Sequence, residues 1–239
     1  MLASGSSPPP SVPPPSRGRS FGERHYQVKY YPVYLDVRER PCVVIGGGRV
    51  AERKALSLLE AGADVTVVSP SLTPKLSELS GSGKIRHLRK LFEEKDLSGA
   101  FVVIAASGSP EVNSAVGRLC RKKNILVNVA APPEESCFIV PSVVERGDLV
   151  IAVSTGGASP SLSRKVRQEL EERYGPEYEV LLKKLAGVRK RLSEEVSDEA
   201  RRREALLAIV ESDVIDLLKQ NKTHEAESRI RELAGLKPK

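Results

Sequence analysis

Aromatic residues are scarce, at 4% of a 239-residue chain. The basic runs are interleaved with acids, and no helix-turn-helix or RNA-binding signature is present. No nucleic-acid partner is expected, because the stacking platforms and docking motifs such a partner needs are missing. The three histidines, His25, His87 and His224, lie far apart, and the three cysteines, Cys42, Cys120 and Cys137, stand at no metal-ligand spacing. No metal site is expected. The cysteines are odd in number and flanked by apolar residues, so they read as reduced and mostly buried. Apolar runs such as 101–106 are too short to cross a bilayer, and the amino terminus lacks the apolar stretch of a signal peptide. A soluble, cytoplasmic protein without a membrane partner is the expectation.

The chain does contain enough apolar residues, 40%, to bury a core and hold one domain with a smaller second one. Its 38 basic and 31 acidic residues leave a formal charge of +7. Such a balance favours anionic partners. Much of the excess lies at the ends, as in Arg17, Arg19 and Arg24 or in Arg201-Arg202-Arg203, so charge alone selects none. Six of the 17 prolines fall in the first 15 residues, and residues 1–24 read as a disordered Pro/Ser-rich leader.

From there the pattern is that of an α/β protein. Val33-Tyr34-Leu35 reads as a short strand, and Cys42-Val43-Val44-Ile45 as a buried one. Gly46-Gly47-Gly48 follows, then Val50, Ala51, Ala55, Leu58 and Leu59 recur at helical spacing until Gly62, and Val65-Thr66-Val67-Val68 makes a second buried strand. A βαβ unit of this kind crosses right-handed into a parallel sheet. Residues 85–88, 101–106 and 125–129 are predicted strands, and 110–122 a helix. Residues 25–135 are thus expected to form a Rossmann-like, doubly wound domain. Phe138-Ile139-Val140 and Leu149-Val150-Ile151-Ala152-Val153, joined by Glu145-Arg146-Gly147-Asp148, predict a hairpin region over 136–160. A helical region spans 161–239, with one apolar stripe through Leu162, Val166 and Leu170 and another through Leu206, Ile209, Val210, Val214, Leu217 and Leu218. These stripes need a partner: the Rossmann domain, the hairpin or another subunit.

Gly46-Gly47-Gly48-Arg49-Val50-Ala51 fits G-x-G-x-x-A, placed between a buried strand and an amphipathic helix. There a glycine makes the tight turn, another admits a pyrophosphate, a small third residue allows close packing, and helix amides face the phosphate. Ser69, Pro70 and Ser71 close the second strand, where an acid usually holds the ribose. A serine can bond a ribose hydroxyl and no arginine follows at once, which points to NAD. Ala106 and Ser107, ending the 101–106 strand, complete the cofactor set.

The series Pro32-Val33-Tyr34-Leu35, Val43-Val44-Ile45-Gly46-Gly47-Gly48-Arg49-Val50-Ala51-Glu52-Arg53-Lys54-Ala55, Phe138-Ile139-Val140-Pro141-Ser142 and Ala152-Val153-Ser154-Thr155-Gly156-Gly157-Ala158-Ser159-Pro160 resembles the precorrin-2 dehydrogenase/sirohydrochlorin ferrochelatase family across roughly residues 30–190. The resemblance implies oxidation of precorrin-2 to sirohydrochlorin with NAD, in some members insertion of ferrous iron to give sirohaem, and a homodimer whose hairpins and helices interlock. A tetrapyrrole rich in carboxylates suits a basic protein, and Arg49, Arg146, Arg164 and Lys165 are candidate carboxylate partners. Asn128, Ala131, Ser154, Thr155, Gly156 and Ser159 are the candidate substrate contacts. Ser159-Pro160 also has the form of a helix cap.

The family carries an essential aspartate three residues past the asparagine matched by Asn128, and Ala131 stands there. A methyl group cannot perform acid–base work. Three explanations stay open: Glu134 or Glu135 substitutes, the chain is a catalytically silent relative that binds NAD and tetrapyrrole, or the residue was changed to trap substrate. A nucleotide-sensing domain of the ion-channel type shares the glycine fingerprint, but it predicts an acid after the second strand and neither of the later segments.

Overall fold

The computed structural model describes residues 29–236; the expected leader and His25 lie outside them. Residues 29–33 belong to a separate unit, within which the Lys29 ammonium sits over the Tyr30 ring.

Five strands, β1 (Pro41–Ile45), β2 (Asp64–Val68), β3 (Arg86–Leu88), β4 (Val102–Ala105) and β5 (Leu126–Val129), form a parallel sheet in the order β3-β2-β1-β4-β5. The order reverses direction at β1, so the crevice between β1 and β4 is the switch point where such sheets receive ligands. Helices α1 (Arg49–Glu60) and α2 (Pro74–Gly81) cover one face, and α3 (Pro110–Lys122) covers the other. Strand alternation produces both cores. Cys42 and Val44 face Ala51, Ala55 and Leu76, while Val43 and Ile45 face Val116 and Cys120. The sheet is covered on both sides, which is why its strands read as continuous apolar runs. Each buried valine or isoleucine contributes about 1.5–3 kcal/mol.

Thr73 and Ser109 accept hydrogen bonds from Leu76 N and Val112 N, and each precedes a proline, so α2 and α3 start at the same kind of cap. Helix α2 is absent from the elements expected between β2 and β3, although Thr73-Pro74 carries this signal.

A hairpin follows, β6 (Ser142–Arg146) paired antiparallel with β7 (Leu149–Val153). The structure departs from expectation here. Phe138-Ile139-Val140 forms no strand: Ser136 Oγ accepts from Val129 N, Cys137 N donates to Val127 O, and Asn128 Nδ2 donates to Phe138 O. Side chains take much of the bonding along β5 that a strand ladder would supply, and they blunt the sheet edge. Cys137 is accordingly exposed, not buried, with its sulfur accepting from Val127 N at 3.0 Å. Val33-Tyr34-Leu35 also forms no strand; Tyr34 is exposed and spends its hydroxyl on Val150 O at 2.8 Å.

Helix α4 (Pro160–Arg173) packs on the hairpin, and α5 (Glu177–Glu195), α6 (Glu199–Val210), α7 (Val214–Lys219) and α8 (Thr223–Ala234) follow it among the described residues. The stripe Leu206, Ile209, Val214, Leu217 and Leu218 finds its partner inside this set, against Leu181, Val188, Leu192, Ala226 and Ile230. The helical region thus packs this stripe against its own helices, a partner not among those expected. Val210, by contrast, is exposed, and on α4 Leu162 is half exposed while Ser163 is the buried residue. No helix among the described residues is long and apolar enough to cross a membrane.

Candidate cofactor site

The carboxyl ends of β1, β2 and β4 open into a cleft of about 800 Å³. Gly46 turns the chain out of β1 at φ 121°, a value that favours glycine, and a side chain there would reach within 2.3 Å of Ala106 O. Gly47 is held for a different reason. A Cβ at this position would lie 1.9 Å from Ser71 O and 2.8 Å from Ser69 Oγ, so the β2–α2 turn fits only against bare backbone. Gly48 faces open space, with no atom within 4 Å of the point a Cβ would occupy. It is the glycine that leaves room for a ligand at the start of α1, whose first amides lack helical acceptors. Ala51 does not line the cleft; it is fully buried where α1 meets the sheet.

Of the predicted cofactor residues, Gly46, Gly47, Gly48, Arg49, Val50, Ser69, Pro70, Ser71, Ala106 and Ser107 line this one cleft. Ser69 is 6% exposed, and its hydroxyl donates to Ser71 O at 2.7 Å, while its carbonyl lies 2.9 Å from His87 Nε2. Its hydroxyl is therefore spent on shaping the turn, and Ser71, which is exposed, offers the free one. The cleft also holds residues the sequence did not flag: Thr73, Lys90, Leu91, Phe92, Ser109 and Val112. Lys90, Leu91 and Phe92 arrive on the connection after β3, which carries no motif, so only the fold brings them in.

Ser107 is fixed from behind by Asn113. That amide, 2% exposed, accepts from Ser107 N at 2.9 Å and Ser107 Oγ at 2.8 Å, and donates to Ser107 O and Ala131 O, both at 3.2 Å. Ala131 itself lines a second, shallower hollow of about 490 Å³ with Pro110, Glu111, Ser114, Arg118 and Pro132. The two hollows flank the start of α3. Neither Glu134 nor Glu135 lines either one. Arg121 donates to Glu134 O at 2.6 Å and pairs with the Glu135 carboxylate at 3.5 Å, further along α3. Glu111 is the carboxylate that shares the hollow with Ala131, and a hydrogen bond from Ser109 Oγ at 2.6 Å holds its pKa below the ordinary carboxylate value.

The remaining candidates lie elsewhere. Asn128 is buried and bonded to Phe138 O. Ser154, Thr155 and Ser159 organise their own loop: Ser154 Oγ accepts from Gly156 N, Thr155 Oγ1 exchanges bonds with Ser159 backbone, and Ser159 Oγ caps α4 through Leu162 N at 3.2 Å. Gly156 sits in the same turn at φ 64°. Arg146 donates to Tyr174 O at 2.8 Å and Glu171 O at 3.2 Å, closing the end of α4, so its guanidinium is engaged by backbone. Arg164 and Lys165 are exposed on α4, and Arg49 is exposed at the cleft.

Residues 33–142 match the family described as "Putative NAD(P)-binding", and residues 146–173 match "Sirohaem biosynthesis protein central". A siroheme synthase of Methylobacillus flagellatus is 50% identical over 140 residues, which is 59% of this chain and 30% of that protein. One of Methylococcus capsulatus is 37% identical over 205 residues, 86% of this chain and 43% of that protein. The chain thus spans less than half the length of these curated relatives. The solved structure of a precorrin-2 dehydrogenase, SirC, matches with a TM-score of 0.71 and 29% identity, covering 85% of this chain and 100% of that one.

Proposed function

The chain belongs to the precorrin-2 dehydrogenase/siroheme synthase family, and on that premise we propose that it oxidises precorrin-2 to sirohydrochlorin with NAD. The observation that carries the reading is the cleft at the sheet's switch point, where Gly48 leaves space at the amide-bearing start of α1 and Gly46 and Gly47 fit only as glycine. These residues suit a dinucleotide: the α1 amides and Arg49 would hold the pyrophosphate, Ser71 and the β2–α2 turn would hold the adenosine ribose, and Ala106 and Ser107 would line the part of the cleft at the end of β4. Bound NAD supplies the hydride acceptor. The substrate gives up one hydride and one proton, and the proton is where this chain differs from its family, because Ala131 offers no acceptor. Proton transfer then falls to water or to Glu111 across the same hollow, at a rate below that of an aspartate-bearing relative.

The absence of a carboxylate at Ala131 favours a second reading, a binding protein that holds NAD and tetrapyrrole without turnover. A homodimer is part of the first reading, supported by half-exposed Val140, Val150 and Leu162 on the hairpin segment and α4. The substrate contacts proposed for Asn128, Ser154, Thr155, Gly156 and Ser159 then belong to the surfaces such a dimer brings toward the cleft. A cytoplasmic location accords with three unbridged cysteines. Ferrous iron, as a substrate for insertion into the product, is the second activity to assay.

The test is incubation of the purified chain with precorrin-2 and NAD, following NADH and tetrapyrrole absorbance together. One NADH per sirohydrochlorin formed supports the dehydrogenase. Tetrapyrrole binding without NADH supports the second reading, and no tetrapyrrole binding overturns both.

A further inference from the structure

Lys90 lies in the cleft wall just beyond β3, on the side shared with Ser69, Pro70 and Ser71. Its ammonium is 2.7 Å from Asp96 Oδ1 and 3.2 Å from Glu93 Oε1. The Asp96 side chain is only 4% exposed, and its other oxygen accepts from Glu93 N at 2.8 Å, so the carboxylate is fixed behind the wall. Glu93 is tied in turn to Lys95 at 2.7 Å.

Of the described residues lining the cleft, Arg49 and Lys90 are the cations, and none is an acid. Arg49 opens α1 at the pyrophosphate end. Because β3 pairs with β2, Lys90 lies beside the Ser69–Ser71 turn, where a bound dinucleotide would place its ribose; NADP sites put a cation there for the 2′-phosphate and NAD sites commonly put an acid there for the hydroxyls. This chain has the cation, but two carboxylates already hold it.

We propose that Asp96, with Glu93, makes this an NAD site in preference to an NADP site by holding the Lys90 ammonium in the wall, away from a 2′-phosphate. The inference rests on the reading of the cleft as a nicotinamide-cofactor site. Lys90 is the specificity-determining residue, and Asp96 is a positioning residue that acts through it. The arrangement discriminates without an acid on the ribose: a 2′-phosphate entering the cleft meets a lysine whose charge is neutralised, and is left with a desolvated dianion uncompensated. Asp96→Asn keeps the shape and a backbone-accepting oxygen while removing one negative charge, which frees Lys90 to reach outward.

The experiment is calorimetric titration of the full chain with NAD and with NADP, repeated on Asp96→Asn, Glu93→Gln and the double variant Asp96→Asn/Lys90→Met. The unmodified chain is expected to favour NAD by about tenfold or more, and Asp96→Asn to tighten NADP by roughly five- to tenfold with NAD changed less than about twofold. Glu93→Gln gives a smaller gain in the same direction and serves if Asp96→Asn folds poorly. The double variant loses the gain, and salt weakens it. Preference of the unmodified chain for NADP, no gain in either single variant that still binds NAD, or a gain that persists without Lys90 would each overturn the inference. If the unmodified chain binds neither dinucleotide, the cofactor reading fails and the inference with it.

Discussion

Asn113 Nδ2 donates to the carbonyl of Ala131 at 3.2 Å, joining the first turn of α3 to the loop that follows β5. The same amide holds Ser107 at three atoms, so one buried side chain sets both the wall of the candidate cofactor cleft and the position of Ala131, where the family resemblance implies an acid. Asn113→Ala leaves Ser107 N and two carbonyls without partners and should cost about 1–3 kcal/mol in urea unfolding. Asn113→Asp should cost more, because a carboxylate then faces two carbonyl oxygens. An Asn113→Ala chain as stable as the parent would show that the network is not structural.

The three glycines at the end of β1 are predicted to fail in different ways. Gly47→Ala forces a methyl group into Ser71 O and should lower stability by about 1–3 kcal/mol. Gly48→Ala meets no protein atom and adopts a φ of −86° open to any residue, so stability should change by less than about 1 kcal/mol while dinucleotide affinity falls at least tenfold. Thermal melts and titration with NAD separate the two effects. Equal affinity for NAD in Gly48→Ala would place the pyrophosphate elsewhere.

Burial pushes the Cys120 thiol up to about 11, with the Cys137 sulfur a lesser contribution, and burial likewise raises the Cys42 thiol. Folding therefore keeps both protonated where the unfolded chain ionises them. That contribution to stability is complete below the ordinary thiol value of 9.0 and is lost as pH climbs toward about 11. Denaturation midpoints should fall across this window, less steeply in Cys120→Ala. In the native chain at neutral pH, maleimide should label exposed Cys137 first.

Much of the fold was legible in the sequence because its signals are local. The run Cys42-Val43-Val44-Ile45, the glycine turn, the spacing of Ala51 and Ala55, and the second run at Val65-Thr66-Val67-Val68 each act within a few residues, and together they specify a βαβ unit and the position of the cleft. What escaped depended on distant partners. Phe138-Ile139-Val140 has strand composition, but its bonds go to β5 through Ser136, Cys137 and Asn128, a pattern no periodicity announces. The Lys90–Asp96 pair sits on a connection whose residues become a site only when β3 joins the sheet beside β2. Glu134 and Glu135 are near Ala131 in sequence, yet the 3-10 turn at Pro133–Glu135 carries them toward Arg121, while Glu111, twenty residues earlier, shares the hollow.

That placement predicts a dependence that can be switched. In the chain as it stands, Glu111→Gln should lower turnover several-fold, since it leaves the hollow without a carboxylate. In an Ala131→Asp background the same substitution should have little effect. A Glu111→Gln loss of equal size in both backgrounds would assign Glu111 to the α3 cap instead, where Ser109 already binds it.

The most direct measurement is the single-turnover rate of NADH formation from precorrin-2 at saturating NAD, for the chain and for Ala131→Asp side by side. Slow turnover in the chain, accelerated about a hundredfold or more by the restored carboxylate, is the expected result. Two proteins that bind NAD and precorrin-2 but yield no NADH, with or without the aspartate, would contradict the assignment of this cleft to precorrin-2 oxidation.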